Sequence, residues 1–314
     1  MPQLHNRFIR GIHNLRAGDK GSVVTIGSYD GVHLGHQTIM KQVVEKSRQT
    51  GLHSIAVVFE PHPNEYFSQE KAPARLMTFR EKVLALYQSG IDRVCCLRFN
   101  ESLRSLSAAE FVQQVLVDGL AVKYLVVGDD FRFGQDRSGD YDYLHRAGQQ
   151  FGYEVTDSST FEIDSERVSS TRIRKALQDS DFLLAERLLG KPYRISGRVA
   201  YGQQLARQWG VPTANVHLRR YRSPLQGVYA VRTWLPDGSV QPGVANVGVR
   251  PTIGQKIKPI LEVHLLDFAD NLYGQRVAVE FVHKLREEQK FDSLELLRQQ
   301  IYQDIESARA YFAQ

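Results

Sequence analysis

His33 and His36 stand three residues apart around Gly35, just after the β-branched run Val23-Val24-Thr25-Ile26 and the loop Gly27-Ser28-Tyr29-Asp30-Gly31-Val32. Two imidazoles at that spacing can converge on one anionic group. The glycines let backbone approach a ligand closely, and the start of the helix that follows offers free N–H groups to phosphate. No lysine follows the second glycine, so this is a different device from the G-x-x-x-x-G-K-[ST] loop. Ser169-Ser170-Thr171-Arg172-Ile173-Arg174 sets hydroxyls beside guanidinium forks, a set suited to the β- and γ-phosphates of a nucleoside triphosphate. An N-cap followed by surface arginines accounts for the same six residues. Asn64 lies in Phe59–Phe67, and Asp130 and Phe131 lie in Val127–Gly134; an ordinary loop explains either stretch equally well. In the second half, Pro212-Thr213-Ala214-Asn215 places a hydroxyl and a carboxamide on one side of an extended chain. Both are hard oxygen donors suited to Mg²⁺, and a plain turn is the alternative.

The elements that must position these groups differ between the two halves. Val23–Ile26, Ile55–Phe59, Val94–Phe99 and Tyr124–Val127 read as buried strands, alternating with helical stretches such as His36–Gln49 and Arg80–Tyr87. Ser107-Ala108-Ala109-Glu110 is a capping box opening a helix to about Asp118, with Gly119 ending it. Strand–helix alternation predicts a parallel sheet with helices on both faces, whose ligands bind beyond the carboxyl ends of the strands. Beyond Leu188-Leu189-Gly190 the strands follow one another: Tyr193–Tyr201, Val228–Leu235, Val240–Val247, Ile260–Leu265 and Arg276–Leu285. A small antiparallel barrel closes such a set. A helix from Ser293 to Phe312, opened by the box Asp292-Ser293-Leu294-Glu295, ends the chain.

With 314 residues, 42% of them hydrophobic and 24% charged, the chain has the composition of a globular protein of two domains. No apolar run approaches the roughly 20 residues of a membrane-spanning helix. The start lacks a secretory signal, which sets the expectation of a cytoplasmic protein. Cys95 and Cys96 are adjacent, which suits neither a disulfide nor a shared metal. The net charge of +5 is too mild, and too little clustered, to call for nucleic acid.

His33-Leu34-Gly35-His36 with Ser169–Arg174 resembles the nucleotidyltransferase superfamily. Asp30–His36, Phe59–Pro63 and Gly128–Gly134 narrow the resemblance to the bacterial bifunctional riboflavin kinase/FMN adenylyltransferase family, also called FAD synthetases. Gly227-Val228-Tyr229, Gly243–Gly248, Arg250-Pro251-Thr252, Leu261-Glu262-Val263-His264, Leu272-Tyr273-Gly274 and Leu285–Phe291 resemble its riboflavin kinase half. Two departures stand out: Tyr29 replaces the usual Phe, and Ala206-Arg207 the usual Gly-Arg of the loop over the ATP phosphates. The resemblance implies an α/β protein with a Rossmann-like nucleotidyltransferase domain over 1–187 and a β-barrel kinase domain over 188–314. It implies phosphorylation of riboflavin by ATP to FMN, then adenylation of FMN by a second ATP to FAD with release of pyrophosphate. His33 and His36 then act on the triphosphate, with Gly27, Asp30, Gly35, Ser170, Thr171 and Arg174 binding ATP and its leaving pyrophosphate. Asn64, Asp130 and Phe131 contact substrate or flavin, with Phe133 a second candidate against the isoalloxazine. Thr213 and Asn215 hold Mg²⁺ with ATP, and Glu262 is the base toward the ribityl hydroxyl. Partners are small molecules, with no nucleic acid or membrane, and the chain is expected as a monomer or weak homo-oligomer. The competing readings are a nucleotidyltransferase for another phosphate and a flavin- or nucleotide-binding module without catalysis. The barrel argues against the first, and the intact His33, His36, Thr213, Asn215 and Glu262 against the second.

Overall fold

Val23–Ile26 is buried at every position because it runs through the middle of a six-stranded sheet. The computed structural model describes residues 7–201, 206–251 and 257–314; the expected motif positions Gly202 and Thr252 lie outside them. The chain forms two compact units. One holds the residues up to Pro73 together with Phe79–Ser169, the other Ala74–Thr78 together with Ser170–Gln314.

In the first unit, β1 (Phe8–Arg10), β2 (Val23–Ile26), β3 (Ser54–Glu60), β4 (Arg93–Arg98), β5 (Tyr124–Gly128) and β6 (Glu154–Ser158) lie in the order β1-β4-β3-β2-β5-β6. All five pairings are parallel. The helices are α1 (Leu34–Thr50), α2 (Pro63–Ser68), α3 (Phe79–Gln88), α4 (Glu101–Arg104), α5 (Ala108–Phe111) and α6 (Tyr141–Phe151), with α5 running on as a π-helical segment, Val112–Gly119. The capping box at Ser107 and Glu110 is present. A short hairpin, β7 (Glu162–Ile163) with β8 (Glu166–Arg167), completes the unit. Strand order runs one way from β2 through β3 and β4 and the other way through β5 and β6. The loop after β2 therefore sits at the reversal, where open α/β sheets bind ligands. Cys95 and Cys96 are both buried, and burial pushes their thiols up to about 12 and about 11. They are inert thiols, each packed on its own face of the sheet.

In the second unit, α7 (Ser170–Gln178) and α8 (Phe182–Leu189) precede β9 (Arg194–Ala200), β10 (Ala214–Val216), β11 (Gly227–Trp234), β12 (Val240–Pro251), β13 (Ile257–Leu265) and β14 (Arg276–Arg286). The six strands close a barrel in the order β10-β13-β12-β11-β14-β9 with antiparallel pairings. Arg220 Nη1 donates to the Arg75 carbonyl at 2.8 Å and the Tyr193 hydroxyl to that of Leu76 at 3.3 Å, which ties Ala74–Thr78 into this unit. The terminal helix α9 (Leu294–Phe312) packs Ile301, Ile305 and Ala308 on Val228, Ala230 and Val244. Its N-cap is Ser293, whose hydroxyl accepts from the Leu296 N–H, so Asp292 and Glu295 do not form the expected box.

Candidate active sites

The loop after β2 is held by packing from below. Tyr29 is buried at φ 46°, and its hydroxyl is 2.6 Å from Thr25 Oγ1. A phenol in place of the usual phenyl ring thus finds a partner inside the sheet. A Cβ on Gly27 would come within 2.7 Å of the Tyr29 ring, so this glycine is required by the aromatic beneath it. Asp30 is buried, and Val32 again takes a positive φ of 42°. His33 caps α1, its Nδ1 accepting from the His36 N–H at 3.4 Å. The two imidazoles stack at 3.6 Å between centroids, and Tyr29 meets His36 edge-on at 5.1 Å. A Cβ on Gly35 would touch the His33 ring at 3.4 Å.

His36 Nδ1 is sealed from water and has no hydrogen-bond partner among the described residues. Burial holds the His36 imidazole well below the ordinary histidine range, and the charges of His33, Lys82 and Arg167 push the same way. The sign follows from linkage: the unfolded chain binds the proton first, so stability falls as pH drops through about 6.5 and is level above it. In the ligand-free protein, ¹⁵N NMR is expected to find His36 still neutral at pH 6.5, and a polyphosphate to raise its pKa. A half-protonated His36 at that pH would contradict the burial.

The loops after β3 and β5 flank this one. Asn64 is exposed at the start of α2, its N–H donating to His62 Nδ1 at 3.2 Å. Beside it Phe99 meets Phe59, Tyr66 and Phe67 at 6.0, 5.3 and 5.7 Å, and Phe67 is 63% exposed. No local pattern announces this aromatic ledge, because Phe99 follows directly on β4, far along the chain from Phe59 to Phe67. Asp130 is paired with Arg167 at 2.9 Å, and Asp129 shares the same guanidinium at 3.2 Å. Phe133 is core, packed among Phe111, Phe131 and Tyr143, whereas Phe131 is half-buried and stacks on it at 5.6 Å. Ser170, Thr171 and Arg174 belong to the other unit, at the start of α7, where Arg174 Nε donates to the Ala74 carbonyl at 2.6 Å.

In the barrel, Asn215 on β10 pairs with Glu262 on β13, Glu262 with Asn246 on β12, Asn246 with Val228 on β11, and Val228 with Arg286 on β14. Residues opposite one another in a ladder share a face. This belt therefore points one way, toward α9, and lines a cavity of about 400 Å³ with Thr213 and Phe291. A second cavity of about 740 Å³ borders Thr213 on the other side and is walled by Tyr201, Asp267–Tyr273 and Arg309. Asn246 lies in the motif Gly243–Gly248 and has no role assignable from the sequence, since only the register brings it opposite Glu262. Helix α9 clasps the walls: Arg286 meets Asp304 through two bonds of 2.8 and 2.7 Å, the Tyr302 hydroxyl donates to the Trp209 carbonyl at 2.7 Å, and Arg309 binds both oxygens of Asp267 at 2.7 Å.

The FAD synthetase family model matches residues 15–172 and the riboflavin kinase model residues 189–312. A bifunctional riboflavin kinase/FMN adenylyltransferase of Pseudomonas fluorescens is 55% identical over 307 residues, covering 98% of each chain. One from Escherichia coli K12 is 48% identical over 307 residues, again with 98% of each chain. Among solved structures, a Streptococcus pneumoniae protein described as a macrolide-efflux protein superposes with a TM-score of 0.79 at 28% identity, covering 96% of this chain and 99% of its own.

Proposed function

The chain belongs to the bifunctional riboflavin kinase/FMN adenylyltransferase family and converts riboflavin to FMN and FMN to FAD, and we propose the following division of that work among its residues. FMN formation belongs to 188–314 and adenylyl transfer to 1–187, with the helix-start groups Ser170, Thr171 and Arg174 on the adenylyl side.

The observation that carries the kinase assignment is the belt Asn215–Glu262–Asn246, three polar side chains side by side in one ladder row, lining a cavity that Arg286 and Phe291 also border. Glu262 takes the proton of the ribityl 5′-hydroxyl as its oxygen attacks the γ-phosphorus of ATP, and ADP leaves. A neighbouring carboxamide on each side holds the carboxylate and the hydroxyl in register. Thr213 and Asn215 fit Mg²⁺ with ATP: both are hard oxygen donors, Thr213 at the edge between the two cavities and Asn215 two residues on in the smaller one. When bound, the ion neutralises charge on the β- and γ-phosphates. The flavin lies in the smaller cavity against Phe291 and Arg286, and the nucleotide in the larger.

In adenylyl transfer an FMN phosphate oxygen attacks the α-phosphorus of ATP and pyrophosphate departs. Such a step needs positioning and charge neutralisation more than a side-chain nucleophile. The stacked His33 and His36 at the start of α1, with the backbone of Gly27 to Gly35 and with Asp30, serve the triphosphate; Ser170, Thr171 and Arg174 hold the leaving group. Asn64, Asp130 and Phe131 contact the FMN, with the exposed Phe67 and the half-buried Phe99 offering ring faces to its isoalloxazine. Two buried free thiols accord with a cytoplasmic setting, and the chain is read as a monomer or weak homo-oligomer that binds no nucleic acid.

The test is to supply riboflavin and Mg-ATP and separate the flavins by chromatography, then to supply FMN. Wild type is expected to yield FMN and then FAD. His36→Ala should stop FAD formation and leave FMN formation. Loss of FMN formation as well would break the division of labour.

A further inference from the structure

Two side chains, Thr213 and His264, are common to the linings of both barrel cavities. Thr213 has a role in the reading above, and His264 has none. The ladder between β10 and β13 pairs Val216 with Leu261, Asn215 with Glu262 and Ala214 with Val263, and stops there. The next step would set Thr213 opposite His264. Pro212, just before it, has no N–H with which to carry a ladder further. At that point the His264 side chain takes over, with Nδ1 lying 2.9 Å from the Pro212 carbonyl oxygen. A carbonyl only accepts, so Nδ1 carries the proton, and both the neutral Nδ1–H tautomer and the imidazolium can make the bond. His264, the next-to-last residue of β13, is itself held on its other side by pairing with Val244 on β12.

We propose that His264 is a positioning residue of the kinase, whose Nδ1–H holds the Pro212 carbonyl and so fixes Thr213 at the boundary between the two cavities. It touches neither reacting atom in this role. It acts through Thr213, and so rests on the reading that Thr213 serves the nucleotide. A hydroxyl that must meet a phosphate or its metal to within a fraction of an ångström cannot hang from an untethered end of a three-residue strand. Strand β10 covers only Ala214–Val216, so Thr213 lies just outside its ladder.

The experiment compares KM for Mg-ATP and for riboflavin in His264→Ala, His264→Asn, His264→Gln and Thr213→Val. An asparagine amide can place its N–H near the Nδ1 position, and a glutamine amide reaches past it. His264→Ala and His264→Gln are expected to raise KM for Mg-ATP about tenfold, the loss of one hydrogen bond of ordinary strength. His264→Asn should stay within about threefold of wild type, and KM for riboflavin should change in none of the three. Adding His264→Ala to Thr213→Val should cost nothing beyond Thr213→Val alone, since the two act on one point. The proposal is overturned if His264→Asn is as damaged as His264→Gln, if riboflavin KM rises alongside that of Mg-ATP, or if the double variant is additive. An unchanged Mg-ATP KM in Thr213→Val would instead overturn the role of Thr213 itself. Should the alanine variant fail to fold, the Asn–Gln pair decides alone.

Discussion

Glu262→Gln is expected to lower kcat for FMN formation by about 10²–10⁴-fold, the usual contribution of a general base, and to leave adenylation of supplied FMN unchanged. Glutamine keeps the size and most of the hydrogen bonding of the residue. It sits in the belt between Asn215 and Asn246, so the cavity keeps its shape and becomes a row of three carboxamides. What is lost is the ability to take a proton. KM for riboflavin should therefore move little, because an interaction made chiefly in the transition state lowers kcat and kcat/KM together. Steady-state kinetics of each half-reaction, with flavins separated by chromatography, measure this. A variant retaining a tenth or more of the wild-type rate would remove Glu262 from the role of base and leave the belt as a binding surface only.

How far the sequence alone reaches can be judged from individual elements. The buried strands β2 to β5 are continuous apolar runs covered by helices on both faces, and such runs announce themselves. Strand β6, Glu154–Ser158, has no such run, being an edge strand with exposed residues, and its sequence carries no strand signal. Strand β10 is harder still: Ala214-Asn215-Val216 has no strand pattern and is a strand because β9 and β13 pair with it on either side. That is why Pro-Thr-Ala-Asn reads as a turn in isolation. His33 and His36 were legible because they are local, lying within one helix turn. Asn246 and the Phe67–Phe99 ledge were not, because register and strand order bring them to their sites. Gly27 shows a different limit. Its neighbours on the chain speak for a ligand, and the ring of Tyr29 two residues on already demands that it have no side chain.

The Arg286–Asp304 pair supplies the largest stability effect. Asp304→Ala is expected to cost about 3–5 kcal/mol, the range for removing one partner of a buried ion pair. The two groups are 21% and 7% exposed, and Asp304 also accepts from Gln300 Nε2 at 3.0 Å. Without the carboxylate the guanidinium keeps one hydrogen bond, to the Glu287 carbonyl at 2.9 Å, and loses the two that hold β14 to α9. Urea unfolding followed by tryptophan fluorescence isolates the effect, since both tryptophans, Trp209 and Trp234, lie in the barrel unit. A loss under about 1 kcal/mol would class the pair with surface ion pairs. The double variant Arg286→Met with Asp304→Leu separates fold from function. Replacing both charges by apolar groups of similar volume is often neutral or stabilising, so the unfolding midpoint should return toward wild type. The cavity beside Glu262 would now lack the Arg286 guanidinium, and KM for riboflavin should rise above that of wild type. If stability recovered and riboflavin KM stayed at the wild-type value, Arg286 would serve only to pin α9. If stability alone recovered, the same guanidinium both anchors the helix and faces the flavin.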